Sequence, residues 1–207
     1  MAETPDQVQP AGLPAPPPLG AAALPGGTFD GSVVMVTGGG TGLGAAIAAE
    51  FARLGAALVV VSRKPDHLAA AATALGAMGA EVLTVPCDIR DAEAVAHAFD
   101  VATEAFGPPD VLVNNAAANF PSPAEDLSPN AWRTVVDLTP NATSLCARDS
   151  GRRHLAAGTP GATTRAGKDE QAMVRVVIGH LGAVTPHRDR TARGHRVCPR
   201  GAVPLPD

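Results

Sequence analysis

The stretch Thr37-Gly38-Gly39-Gly40-Thr41-Gly42-Leu43-Gly44 decides how this chain folds. It follows an apolar run at residues 33–36 and opens a helical pattern at residues 45–51. A strand, a glycine turn and a helix in this order bind a dinucleotide pyrophosphate, because glycines allow close approach and the helix N-terminus offers free N–H groups. A glycine cluster alone could be a flexible loop, but the flanking strand and helix favour the binding turn. The predicted phosphate-binding residues are Gly38, Gly39, Gly40, Thr41, Gly42, Leu43 and Gly44.

Strands and helices alternate on both sides of this turn. The sequence predicts strands at residues 32–37, 57–62, 81–87 and 111–115, and helices at 42–54, 65–79, 91–106 and from 128 onward. Gly55 suits a left-handed helix end, while Asp91 and Ser128 suit helix N-caps. This alternation predicts an α/β fold with a Rossmann-type, doubly wound parallel sheet and right-handed crossovers.

Composition and charge limit the remaining possibilities. The 207 residues suffice for one domain, and Cys87, Cys146 and Cys198 lie too far apart for metal-ligand spacing, so no metal site is predicted. There is no apolar run of membrane-spanning length and no visible secretory signal, so we expect a cytoplasmic protein with no membrane partner. The basic C-terminal part has no aromatic residues for base stacking, which argues against a nucleic-acid partner.

Three segments are predicted. Residues 1–28 are rich in proline and alanine and are expected to form a disordered or loosely extended tail. Residues 29–157 are expected to form a partial Rossmann domain that binds the dinucleotide. Net charge changes from −10 over residues 1–151 to +6 over residues 152–207, and the alternation of elements stops near 157. Residues 158–207 are therefore expected to be an irregular basic tail.

Polar residues follow three of the predicted strands. A carboxylate after the second strand would hold ribose hydroxyls and repel a 2′-phosphate, whereas the cation Arg63 would do the reverse. Arg63 could also be a solvated surface cation, and its position after the glycine turn favours phosphate binding. Asp88 and Asn115 lie at the carboxyl edge of the sheet, where doubly wound folds bind ligands. Taken alone, they could be turn residues.

The pattern T-G-x-x-x-G-x-G at residues 37–44, with Asn114-Asn115-Ala116-Ala117, resembles the short-chain dehydrogenase/reductase family over residues 29–157. The resemblance implies that Asp88 contacts the adenine ring and that Asn115 and Ala116 line the cofactor. It also implies a homo-oligomer, which is doubtful for this chain because no counterpart of the later strands is visible.

Residues 114–120 and 127–132 narrow the resemblance to the 2,4-dienoyl-CoA reductase branch of that family. This branch uses NADPH to reduce dienoyl-CoA thioesters in fatty-acid oxidation, so the resemblance implies NADP(H) and an acyl-CoA-type substrate. By the same match, Asn119 would hydrogen-bond the thioester carbonyl and Phe120 would line the substrate site. Without the resemblance, Asn119 is an ordinary turn residue.

Beyond these residues the chain no longer matches the sequence pattern of the family. Its members carry a Tyr-x-x-x-Lys pair, but this chain has no tyrosine, and Thr164 stands four residues before Lys168. Thr139 occupies the place of a common Asn, and Pro140 should kink or break the fourth helix. We expect an impaired reductase in a truncated or frame-altered form, with residues after about 158 foreign to the fold. The alternatives are a non-catalytic NADP-binding or interaction protein and a fragment without function.

Overall fold

The fold is an α/β sheet flanked by helices, in a computed structural model that describes residue 22 and residues 24–166. Residues 1–21 and 23 of the predicted N-terminal tail, and residues 167–207 of the predicted C-terminal tail, lie outside the described residues. The strands are β1 (Val33–Thr37), β2 (Ala57–Ser62), β3 (Val82–Pro86), β4 (Val111–Asn114) and β5 (Ala162–Arg165). The helices are α1 (Gly42–Arg53), α2 (Pro65–Gly76), α3 (Ala92–Phe106), α4 (Pro129–Val136) and α5 (Ala142–Ala157), with a 3₁₀ turn at Ala124–Asp126 and a π-helical turn at Asp137–Asn141.

The five strands form one parallel sheet in the order β3-β2-β1-β4-β5. The chain first builds outward from β1 to β3 and then returns to the other side of β1 to place β4. The order therefore reverses between β1 and β4, and doubly wound sheets bind ligands beyond the carboxyl ends of the strands at such a point. The predicted Rossmann-type architecture is confirmed.

Each face of the sheet is covered by its own apolar cluster. On one face, Met35 and Val59 pack with Phe99 of α3 and Cys146 of α5. On the other face, Val34, Val60 and Leu58 pack with residues of α1 and α2. Burial on both faces explains why β1 and β2 are continuous apolar runs. No helix in residues 24–166 is long and apolar enough to cross a membrane.

The predicted helix ends are confirmed by their caps. The Asp91 carboxylate accepts hydrogen bonds from the backbone N–H groups of Glu93 and Ala94, and the Ser128 hydroxyl accepts one from Ala131. Gly55 follows α1 with φ of 92°, a conformation that favours glycine. These local signals therefore determine where α1 ends and where α3 and α4 begin.

Pro140 does not break the helical segment, which corrects the stronger form of the prediction. The segment passes through the π-helical turn Asp137–Asn141, which contains Pro140, and resumes as α5 at Ala142. Proline has no N–H for the α-helical ladder, and a wider turn accommodates both the missing donor and the ring.

The prediction that the alternation stops near residue 157 is wrong by one strand. After α5, β5 pairs in parallel with β4, with Ala162 opposite Val111 and Arg165 opposite Asn114. Its sequence, Ala-Thr-Thr-Arg, has no apolar run that would reveal it. Tertiary contacts, rather than local pattern, determine this strand.

Candidate functional site

An open cleft of about 600 Å³ lies at the carboxyl edge of the sheet. Its size is within the range of small-molecule and cofactor sites. Among the sequence-predicted residues, it is lined by Gly38, Thr41, Leu43, Gly44, Arg63, Asn115, Ala116 and Asn119. We call the part beside Ser62, Arg63 and Lys64 the β2 end, and the part beside Arg165 and Ala166 the β5 end.

Glycine is required at two positions of the loop, because a Cβ there would press on the neighbouring backbone or side chains. Gly38 has φ of 66°, and a Cβ built on it would lie 3.0 Å from the Cα of Ala116. A Cβ on Gly44 would collide with the Gly38 carbonyl and the Asn115 amide. The loop can therefore turn tightly beneath the N-terminus of α1, where unpaired N–H groups suit a phosphate. This geometry fits a dinucleotide pyrophosphate.

Asn115 ties the glycine loop to the end of β4. Its Nδ2 donates to the carbonyl oxygens of Thr37 at 3.0 Å and Gly38 at 3.2 Å. The Thr37 hydroxyl in turn accepts from the backbone N–H groups of Asn115 and Ala116, both at 3.1 Å. These contacts make Asn115 and Thr37 supports of the loop, since the Asn115 amide nitrogen is already committed to two carbonyls.

The other loop residues divide into exposed and packed positions. Thr41 is the exposed N-cap of α1, Gly42 begins that helix, and Leu43 is 46% exposed and lines the cleft. Gly39 and Gly40 are the buried residues on the inner side of the loop, where a Cβ would press on Val36 and on His67 respectively. We therefore expect these two glycines to act through packing.

The β2 end of the cleft is cationic. Arg63 and Lys64 are exposed and line it. Asp88 lies 3.9 Å from Arg63, but its carboxylate is held mainly by the Arg90 guanidinium, with Nε–Oδ1 at 2.9 Å. The Arg90 hydrogen bond holds the pKa of Asp88 below its usual range, with a smaller contribution from the charge of Arg63.

Asp88 is placed apart from the other predicted site residues. It does not line the main cleft and faces a separate, more open depression shared with Arg90, Asp91, Asp137 and Asn141. Its predicted adenine contact would have to compete with Arg90. That contact stays a prediction.

The segment after β4 presents one predicted substrate residue to the cleft and turns the other outward. Asn119 is exposed and lines the cleft, whereas Phe120 is 54% exposed and is not part of the lining. Thr139, in the π-helical turn, also lines the cleft, and its hydroxyl accepts from the N–H of Ala118 at 3.3 Å. The wide turn at Pro140 thus helps to hold the segment that carries Asn119.

Cys87 is the thiol in the cleft lining. It is buried, and burial raises its pKa to about 11, with further contributions from the charges of Asp88 and Asp91. At neutral pH the group is therefore an uncharged thiol and a poor nucleophile. It contributes apolar surface to the cleft.

Arg165 and Ala166 were missed by the sequence prediction, although both line the cleft. Arg165 ends β5 directly opposite Asn114 in the register. A residue at the end of a strand can be predicted from sequence only when the strand itself is predicted, and β5 was not.

Comparison with known proteins agrees with this arrangement. A sequence profile described as short chain dehydrogenase matches residues 32–161. An uncharacterized oxidoreductase from Caenorhabditis elegans is 42% identical over 139 residues, which are 66% of this chain and 44% of that protein. A peroxisomal 2,4-dienoyl-CoA reductase from Arabidopsis thaliana is 36% identical over 138 residues, covering 66% of this chain and 46% of the relative.

Solved structures give the same result. The citronellol catabolism dehydrogenase of Pseudomonas aeruginosa superposes with a TM-score of 0.67 at 32% identity, over 74% of this chain and 63% of that one. The chain spans less than half the length of the two curated relatives described above. With the profile match over most of the described residues, these similarities show that the chain belongs to the short-chain dehydrogenase family of oxidoreductases.

Proposed function

We propose that the cleft binds NADP(H) and that the chain derives from an NADPH-dependent reductase of enoyl- or 2,4-dienoyl-CoA thioesters. The observation that carries the proposal is the cleft itself, which joins a glycine turn at the start of α1 to two cations, Arg63 and Lys64, at the β2 end. A dinucleotide phosphate offers a pyrophosphate for the turn and a 2′-phosphate for the cations.

Each residue has a distinct part in this proposal. Backbone N–H groups of the loop from Gly38 to Gly44 would hold the pyrophosphate, and Arg63 would pair with the 2′-phosphate. Asn115 would act by keeping the loop in place, because its amide donates to the carbonyls of Thr37 and Gly38. The bound cofactor supplies hydride in reactions of this class.

Asn119 is the proposed substrate contact. It lines the cleft on the β4 side and is held by a segment that Thr139 supports. Its side-chain amide could donate to a thioester carbonyl oxygen, where negative charge develops when hydride adds to the conjugated chain. Relatives named as 2,4-dienoyl-CoA reductases support this substrate class. Phe120 would have to turn inward to contact the same substrate.

The proposed reaction also needs a proton donor, and this chain lacks the tyrosine that would supply the proton. The 207 residues contain no tyrosine, and Lys64 and Lys168 are the two lysines. Positioned acid–base groups contribute roughly 10²–10⁴-fold to rate. We therefore expect turnover to be slower by about that factor than in a reductase that has the tyrosine and lysine pair. The absence of tyrosine favours a second candidate, a non-catalytic NADP-binding protein, which would use the same cleft without the chemistry.

Titration of the purified chain with NADPH and NADH tests the binding step. NADPH should bind more tightly, and Arg63→Ala should weaken NADPH binding while leaving NADH nearly unchanged. Arg133→Ala removes an exposed cation on α4 that does not line the cleft and is the matched control. Equal affinity for the two cofactors in the unmodified chain would contradict the role of Arg63.

An NADPH oxidation assay with a dienoyl-CoA then separates the candidates. Binding with turnover that falls in Asn119→Ala supports the reductase, whereas binding without turnover supports the non-catalytic protein. Absence of binding to either cofactor would leave a fragment without this function.

We also propose that the chain departs from its family from about residue 158 onward, close to the start of β5. The profile match ends at residue 161, one residue before β5 begins, and the polar β5 is unlike the apolar β1 and β2. A change of reading frame would replace the family sequence in this way. Translating the coding DNA in its other two frames tests the idea, and absence of a Tyr-x-x-x-Lys pattern in both would contradict it.

A further inference from the structure

The charges that line the cleft are all positive among the described residues. Arg63 and Lys64 line the β2 end and Arg165 lines the β5 end, while no Asp or Glu belongs to the lining. Residues 24–166 as a whole carry 14 Asp and Glu against 9 Lys and Arg, and three of those nine cations line the cleft. Cations are thus concentrated at one concave site of an otherwise acidic domain. The low-dielectric walls of such a cleft strengthen the positive electrostatic field inside it.

The two cationic ends lie on opposite sides of the glycine loop. The order β3-β2-β1-β4-β5 places Arg63 after the strand on one side of β1, and Arg165 two strands away on the other side. A dinucleotide whose pyrophosphate rests on the loop after β1 has its adenosine at the β2 end. Its nicotinamide half is therefore directed toward β4 and β5, where Arg165 and Asn119 line the cleft.

Arg165 is positioned to act through its charge. Guanidinium remains protonated at all ordinary pH values. No carboxylate of residues 24–166 forms a salt bridge with it. The side chain is partly buried, so solvent reduces its field without removing it.

From this placement we infer that Arg165 makes the cleft discriminate between the two oxidation states of its cofactor, favouring NADPH over NADP⁺. The inference rests on the proposed binding of NADP(H). The oxidised nicotinamide ring carries a positive charge and the reduced ring is neutral, so a nearby cation destabilises the oxidised form alone. Arg63 faces the adenosine end, which is the same in both forms, and contributes equally to their binding. Arg165 is thus a specificity-determining residue for redox state, whereas Arg63 determines affinity for the phosphate.

The test compares dissociation constants of NADPH and NADP⁺ for the full chain by calorimetry at low ionic strength. We expect NADPH to bind on the order of five-fold more tightly, as expected for a partly screened charge interaction. Arg165→Gln should bring the ratio close to one, and Arg165→Lys should restore most of the preference. Arg63→Gln is the matched control, because it should weaken both forms while leaving their ratio unchanged.

Salt provides a second measurement that needs no variant. In the unmodified chain the preference should decline as ionic strength rises from about 0.02 M to about 0.5 M, because the screening length shortens several-fold. A ratio near one at low salt, or a ratio that neither salt nor Arg165→Gln alters, overturns the inference and leaves the proposed function standing. Failure to bind either form overturns both.

Discussion

The two sides of the sheet are stabilised by different means. On the side of β3 and β2, apolar burial dominates, and Leu58, Val59 and Val60 are fully buried between the two layers of helices. On the side of β4 and β5, buried polar groups make specific contacts, and Asn114, Thr163 and His154 are each at most 6% exposed.

His154 shows how the polar side works. Its Nε2 lies 2.9 Å from the carbonyl oxygen of Pro109, and its Nδ1 lies 3.1 Å from the Thr159 hydroxyl. A carbonyl can only accept, so Nε2–H donates to Pro109, and in that neutral tautomer Nδ1 accepts from the Thr159 hydroxyl. One side chain of α5 thereby connects the loop before β4 with the turn before β5.

The comparison teaches that the two sides should tolerate change differently. Apolar burial is non-directional and tolerates exchange among residues of similar volume. A buried hydrogen bond depends on both partners, and losing one leaves the other unsatisfied at a cost of about 1–3 kcal/mol. The following substitutions test this contrast, from the largest expected effect to the smallest.

Leu58→Ala should have the largest effect. Removing the fully buried Leu58 side chain of β2 leaves a cavity between β2 and the helices on its face, and we expect a loss of about 3–5 kcal/mol in the free energy of unfolding. Urea denaturation followed by circular dichroism measures it, because the single Trp132 is 61% exposed and reports poorly on the core. Leu58→Met is the control and should cost less than about 1.5 kcal/mol.

His154→Ala should cost about 2–3 kcal/mol, because it leaves the Pro109 carbonyl and the Thr159 hydroxyl without their partner. His97→Ala, at an exposed position on α3, is the matched control and should change stability by less than about 0.5 kcal/mol. Urea denaturation measures both. Equal effects of the two substitutions would show that the polar contacts do not hold this side of the sheet.

The contact between Asn114 and Thr163 should give the smallest effect. The Asn114 Nδ2 donates to the Thr163 hydroxyl at 3.1 Å, while the buried Oδ1 of Asn114 has no partner among the described residues. A double-mutant cycle with Asn114→Ala and Thr163→Val should give a coupling energy of about 1 kcal/mol. Additive effects would indicate that β5 is held by its backbone ladder alone.

The apolar side was predictable from sequence, and the reason is local. The runs at residues 33–36 and 57–62, together with the caps Asp91 and Ser128, each determine their element within a few residues. The glycine loop was predictable for the same reason, since its turn and the following helix are contiguous.

The polar side was not predictable, because its determinants are distant in the chain. Thr163 meets Asn114 across 49 residues, and His154 meets Pro109 across 45. No window of local periodicity contains both partners, so β5 and with it Arg165 were missed. The ion pair of Asp88 was also not predicted: its partner Arg90 is only two residues away, but an ion pair of this kind leaves no periodic signal.

The π-helical turn at Asp137–Asn141 has a consequence for helix phase. A turn with one extra residue rotates everything that follows by about 100° relative to an uninterrupted α-helix of 3.6 residues per turn. After the turn, Ala142, Cys146, Ser150 and His154 face inward at a regular spacing of four. Deleting Pro140 would restore a plain helix and rotate that row out of the interior. The wide turn around Pro140 therefore sets the rotational alignment on which the His154 contact with the far side of the sheet depends.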